Sequence, residues 1–168
     1  KSQAAFGRLP GLHQVMSDSP QVLEGYQVLH KLFTDTDFDA DEMTVVWQAI
    51  NVENECHYCV PAHTGIAKMM NVSDDITQAL RDETALPNEK LEALRTFTLR
   101  VVRQRGVMTD AQFDAFFAAG YTHRAAVDVV LAVAQKTMFN YINHFAQTVV
   151  DEPMQGFLWK RGDTPIVT

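Results

Sequence analysis

Asp39-Ala40-Asp41-Glu42-Met43-Thr44-Val45-Val46-Trp47-Gln48-Ala49-Ile50 opens on an acid followed three positions later by a glutamate. That is the pattern of an acidic capping box. Met43, Val46, Trp47 and Ile50 then recur at helical spacing, so the stretch reads as an apolar helix. The polar run Asn51-Val52-Glu53-Asn54-Glu55 interrupts it. A second helical pattern follows at once, from Cys56-His57-Tyr58-Cys59-Val60-Pro61-Ala62-His63 into Ile66, Met69 and Met70, and closes at Asn71. Two helices separated by a polar break, with both cysteines at the break, set the frame for the rest.

The same punctuation recurs in both directions. Ser19-Pro20 reads as an N-cap and first-turn proline, with Val22, Leu23, Tyr26, Leu29, Leu32 and Phe33 behind it until Thr34-Asp35-Thr36-Asp37. Ser73 caps a short helix through Leu80, and Pro87-Asn88 introduces another bearing Leu91, Leu94, Phe97, Leu99 and Val102 and ending near Gly106. Thr109 and Gln112 make a further capping box, and Thr122 opens a long last helix toward Val150. Phe113, Phe116 and Phe117 read as core or interface, Met69 and Met70 as packing, Tyr141 as a core residue and His144 as a hydrogen-bonded one; His13, His30 and His123 read as surface or cap residues. No β alternation or hairpin turn stands out. The expectation is an all-α bundle of six to eight helices, one domain over residues 1–168 with an irregular tail from 153 to 168 that is a candidate for packing across a neighbouring subunit.

The chain has 168 residues, 46% hydrophobic and 21% charged, with a formal net charge of -7. That length buries a proper core. The negative balance disfavours phosphate backbones and anionic membrane surfaces. The most apolar stretch, Ala125 to Ala134, contains Asp128 and is too short to span a bilayer. The first residues, Lys1-Ser2-Gln3-Ala4-Ala5-Phe6, carry no apolar signal-peptide core, so a cytoplasmic location is expected. Nucleic-acid and membrane partners are not expected.

Only two cysteines occur, three residues apart. Random placement gives that spacing on the order of once in a hundred, and two cysteines are too few for a secreted disulfide framework. At about 100° per residue Cys56, Cys59 and His63 fall within about 60° of one another if they share a helix. A cysteine in the first helical turn is favoured as thiolate. The pattern therefore suits a dithiol–disulfide cycle. A thiolate attacks a peroxide and becomes a sulfenic acid, the other cysteine condenses with it, and an external thiol or dithiol reduces the pair. His63 is the candidate base, with Glu42 or Glu53 as the carboxylate that orients it. The same cluster also reads as two small buried hydrophobes, or as three zinc ligands with Glu53 or His144 as a fourth; no second Cys/His pair completes such a site, and neither a metal nor a cofactor is expected.

Glu53-Asn54-Glu55-Cys56-His57-Tyr58-Cys59-Val60-Pro61-Ala62-His63 resembles the active-site signature of the AhpD-like alkylhydroperoxidases within the carboxymuconolactone decarboxylase family. The helix from Glu42 to Ile50 and the segment Asn140-Tyr141-Ile142-Asn143-His144 are similar to its peroxidase-related members, so the resemblance spans roughly residues 38–152. It implies an AhpD-like helical bundle, peroxidase or disulfide-reductase activity, and homo-oligomers, either trimers or hexamers. It implies Cys59 as the attacking thiol, Cys56 as the resolving thiol and His63 as the relay. The family's relay glutamate falls at Thr44, a departure, and Tyr58 stands where some members carry a histidine, with His57 displaced by one. Lactone decarboxylation, the family's other chemistry, leaves the cysteine pair unexplained, and a non-catalytic metal-binding or redox-sensing module is the third reading.

Overall fold

Capping chemistry sets most of the helix boundaries in the computed structural model, which describes residues 11–162. The described residues form eight α-helices: α1 (Gly11–Met16), α2 (Pro20–Thr34), α3 (Ala40–Glu53), α4 (Cys59–Met69), α5 (Asp74–Arg81), α6 (Glu89–Arg103), α7 (Asp110–Ala118) and α8 (His123–Ala146). A 3-10 helix, Glu152–Phe157, follows. The architecture is an all-α bundle without strands among the described residues.

Asp39 and Glu42 form the expected reciprocal capping box at the start of α3, and Thr109 and Gln112 form another at α7. Ser73, Asn88 and Thr122 accept backbone N–H groups at α5, α6 and α8. Each such cap is worth about 1 kcal/mol. Ser19 departs from this: Pro20 occupies the first turn, but the serine hydroxyl makes no capping bond. Gly106 and Gly120 take φ of 80° and 95° behind α6 and α7, where a Cβ would be strained.

Helix α3 is the hub, packed against α4, α5, α6 and α8. Its Val45, Val46, Trp47 and Ile50 join Phe33 of α2, Leu94 and Phe97 of α6, Phe116 of α7 and Val129 and Ala132 of α8 in the main core. A second apolar cluster surrounds the cysteines: Leu12, Met16, Tyr58, Phe139 and Val150, with Tyr26, Met138 and Ile142 against its edge. The cysteine pair is thus placed where α1, α2, α4 and α8 meet.

The segment beyond α8 is more ordered than its irregular sequence suggests, and it packs on its own chain. Met154 lies directly over Gly65 of α4, where any Cβ would overlap its sulfur. The Arg81 guanidinium donates to the carbonyls of Phe157 and Leu158 at 2.9 and 3.0 Å, and the Trp159 indole donates to the Arg81 carbonyl at 3.0 Å. Arg161 pairs with Glu83 and Glu55. The part of the expected tail from 163 to 168 lies outside the described residues. Four further expectations are corrected: Tyr141 and Met69 are exposed, because α8 and α4 turn those positions outward, whereas His13 is buried and His30 partly so.

Candidate dithiol site

A left-handed turn separates α3 from α4. Glu55 has a φ of 51°, which reverses the chain so that the Cys56 N–H donates to the Asn51 carbonyl at 2.9 Å. Helix α4 begins at Cys59, so Cys56 lies in the turn before it rather than in its first turn. The two remain close. The Cys56 sulfur accepts the Cys59 backbone N–H at 3.3 Å, and its carbonyl accepts the Val60 N–H at 3.1 Å. Cys56 therefore serves the orphan donors that a capping residue would serve elsewhere. Both thiols are free and buried, Cys56 at 0% and Cys59 at 2% exposure.

The two sulfurs are not equivalent. Burial opposes ionisation of Cys59. The thiol of Cys56 hydrogen-bonded to its sulfur, the Lys136 charge, and the amides of Asn140 and Asn143 together outweigh burial and bring its pKa down to about 6. The Asn143 amide donates to the Cys59 sulfur at 3.3 Å. Cys56 shifts the other way, because its hydrogen bond to Cys59 and its burial both favour the protonated form. The surroundings thus favour Cys59 as the thiolate and Cys56 as the thiol, and the thiolate is the nucleophilic form.

The asparagines belong to a network of neutral amides. Asn140 donates to Asn51 at 3.1 Å and accepts from Asn54 at 2.9 Å, and Asn51 donates to Gln48 at 3.1 Å. Gln48 in turn donates to the Val60 carbonyl and to the Thr64 hydroxyl, both at 3.1 Å. Helices α3, α4 and α8 are thereby fixed to one another around the sulfurs.

His63 is buried with its ring against Trp47, centroids 4.9 Å apart. Its Nε2 lies 2.8 Å from the Nζ of Lys136, a lysine on α8 only 1% exposed. Burial and the Lys136 charge hold the imidazole far below its ordinary pKa, so it is neutral and Nε2 accepts from the ammonium. The proton of the ring is then on Nδ1, which is buried and has no hydrogen-bond partner. Behind this pair, the Trp47 indole donates to Gln135 at 3.0 Å, which fixes the Gln135 amide so that its NH2 donates to His30 Nδ1, also at 3.0 Å. Tyr26 stacks on His30 and packs at a tilt against Phe139.

The expected carboxylates are not hydrogen-bonded to His63. Glu42 closes its capping box and pairs with Lys90 at 2.9 Å. Glu53 makes a two-pronged pair with Arg103 at 2.8 and 2.7 Å. Each is held by a cation on α6, and a cation of α8 takes their expected place beside the imidazole. His144 contacts the Glu55 carbonyl and His57 the Thr148 carbonyl. Among the described residues, no three His, Cys, Asp or Glu side chains converge as a metal ion would need.

Lys136, Asn140 and Asn143 carry much of the site's electrostatics and were not singled out for those roles from the sequence. Their signal was positional. Ala126, Val129, Ala132, Lys136, Asn140 and Asn143 recur at intervals of three and four along the inward stripe of α8, where polar residues require a partner.

No protein-family model matches the sequence, and no curated protein matches it. Solved structures do match its fold. The crystal structure of the core of alkylhydroperoxidase AhpD, an uncharacterized peroxidase-related protein from Ralstonia eutropha JMP134, aligns with a TM-score of 0.82 at 19% identity, covering 90% of this chain and 82% of that one. An uncharacterized peroxidase-related protein from Silicibacter sp. TM1040 aligns with a TM-score of 0.81 at 14% identity, covering 92% and 83%. The chain has the AhpD-like all-helical fold.

The asymmetry between the sulfurs sets a titration. In the reduced protein, thiolate absorbance should rise with a midpoint near pH 6, carried by Cys59 alone. Cys59→Ser should abolish that step, and Asn143→Ala should move it upward. Because the folded value lies below the 9.0 of an unperturbed thiol, ionisation of Cys59 should add stability as pH rises from about 6 to 9 and lose it as pH falls through 6. A step centred near 9 in the wild type would refute the assignment.

Proposed function

We propose that the chain is a thiol-dependent peroxidase of the alkylhydroperoxidase type. Cys59 is the attacking thiolate and Cys56 the resolving thiol. The observation that carries this reading is the hydrogen-bonded sulfur pair, one member favoured as thiolate and the other as thiol, which is the protonation pattern that the first chemical step requires. The Cys59 thiolate attacks one peroxide oxygen and becomes a sulfenic acid as the O–O bond breaks. The Cys56 sulfur then displaces hydroxide from that sulfenic acid, which leaves as water, and a disulfide remains. A small thiol or dithiol returns the pair to its starting state. Deep burial favours small substrates and reductants over the disulfide of a folded protein, which ranks the disulfide-reductase variant second. His63, neutral and in line with Lys136, supplies the proton to the departing alkoxide or hydroxide rather than removing one from Cys59. Glu42 and Glu53 are assigned to holding α3 against α6. Two free thiols accord with a reducing, cytoplasmic setting, and no single described helix is long and apolar enough to cross a membrane.

The assembly we propose is a homo-oligomer. Val127, Val130, Tyr141 and Phe145, the last 94% exposed, form an apolar row along the outer face of α8, with Val28 and Leu32 exposed on the adjoining α2. An exposed row of this kind marks an association surface. Wild type should therefore elute at a multiple of the chain mass in light-scattering chromatography, and Val130→Glu with Phe145→Glu should shift it toward monomer. A wild type that is monomeric at micromolar concentration would contradict the assembly.

Steady-state reduction of an organic hydroperoxide with dithiothreitol tests the chemistry. Cys59→Ser should lose activity at least a hundredfold and Cys56→Ser should stall after one turnover as a sulfenic acid, which dimedone captures. His63→Ala should slow turnover with the titration of Cys59 still visible. Unchanged turnover in both cysteine variants would end the peroxidase reading.

A further inference from the structure

Among the described residues, Lys136 is the one cationic side chain fully enclosed in the bundle. Among the described residues no carboxylate is paired with it. Its surroundings are His63 on α4 at 2.8 Å, the ring of Phe139 on its own helix at 5.5 Å, the charge of the Cys59–Cys56 pair, and His30 of α2. Tyr26 of α2 stacks on His30, His13 of α1 meets Tyr26 edge-on, and Tyr26 also feels Cys59. No other cation faces the sulfurs in this group. Among the described residues the anion that acts on the ammonium is the sulfur pair itself, and that anion vanishes when a disulfide forms.

We propose that Lys136 is the proton store of the dithiol cycle: its ammonium holds Cys59 as thiolate in the reduced protein, and it surrenders that proton through His63 when the peroxide is reduced and the disulfide closes. The inference rests on the dithiol cycle of the preceding section. Lys136 acts through His63 and through its charge, so it is a positioning residue rather than one that touches the peroxide.

The balance closes without an outside proton. Reactants are the Cys59 thiolate, the Cys56 thiol, the Lys136 ammonium and a hydroperoxide ROOH; products are the Cys56–Cys59 disulfide, ROH, one water and a neutral Lys136 amine. The sulfur pair loses two electrons and the peroxide gains them. The ammonium proton enters His63 at Nε2 while the Nδ1 proton leaves for the alkoxide RO⁻; the Cys56 proton leaves with the sulfenic hydroxyl as water. An imidazole with Nε2 on the donor and an unpartnered, buried Nδ1 is arranged for that relay. On the way back, a dithiol yields two protons: one restores the Cys56 thiol and the other the ammonium. Burial drives the release, since an ammonium without a counter-charge is disfavoured in the interior.

The test uses the wild-type chain and needs no variant. Its disulfide is equilibrated with reduced and oxidised dithiothreitol from pH 6.5 to 8, where Cys59 is thiolate by its own absorbance. If Lys136 takes up a proton on reduction, no net proton is released and the equilibrium constant stays flat with pH. A lysine charged in both states releases one proton per exchange, and the constant then climbs tenfold per pH unit, which overturns the inference while leaving the dithiol cycle standing. A protein that loses no thiols to any oxidant overturns both. Lys136→Met gives the second readout: the Cys59 titration should move up by at least one unit, with peroxide turnover at least tenfold lower at pH 7 and recovering toward pH 9. A uniform loss at every pH, with the titration unmoved, would mean a structural role only.

Discussion

A buried ammonium, an imidazole and a buried thiolate form the interaction around which the rest of the site is arranged. Taking one ion into a protein interior costs roughly several kcal/mol even after relaxation. Lys136 and the Cys59 sulfur offset that cost for one another, with Asn143 donating to the sulfur, Asn140 favouring its thiolate and His63 accepting from the ammonium. Remove either charge and the other becomes a liability. In the proposed dithiol cycle, this ties the charge of the site to the oxidation state of its sulfurs.

The neighbours of this pair are amides where carboxylates would have been electrostatically simpler. Gln48, Asn51 and Asn140 bond to one another, and Asn143 donates to the Phe139 carbonyl and the Cys59 sulfur, without bringing a second negative charge near the thiolate. A carboxylate in that shell would compete with Cys59 for the lysine and push the thiol back toward its ordinary pKa. Of the carboxylates on α3, Glu42 and Glu53 are drawn to Lys90 and Arg103 at its two ends and help clamp α3 to α6.

Much of the fold was legible because caps and helical periodicity are local. Asp39 with Glu42, Thr109 with Gln112, Ser73, Asn88 and Thr122 all start helices where their side chains said they would. The cysteine pair was legible for the same reason, being three residues apart. What escaped was non-local. Lys136 lies 73 residues beyond the histidine it contacts, and nothing in its own segment distinguishes it from a solvated lysine except its register on the buried stripe of α8. The left-handed Glu55 that ends α3 and sets Cys56 outside α4 was equally invisible, since glutamate carries no preference for that conformation. Tyr141 was misread for a complementary reason: α8 carries apolar residues on its outer face as well as its inner one, so apolar character there does not report burial.

The most direct measurement is the nitrogen chemical shift of the Lys136 side chain, followed by NMR in protein labelled at lysine, first with the cysteines reduced and then with the disulfide formed at the same neutral pH. The account requires an ammonium in the reduced protein and a neutral amine in the oxidised one. An ammonium signal in both states, or an amine in both, would contradict it.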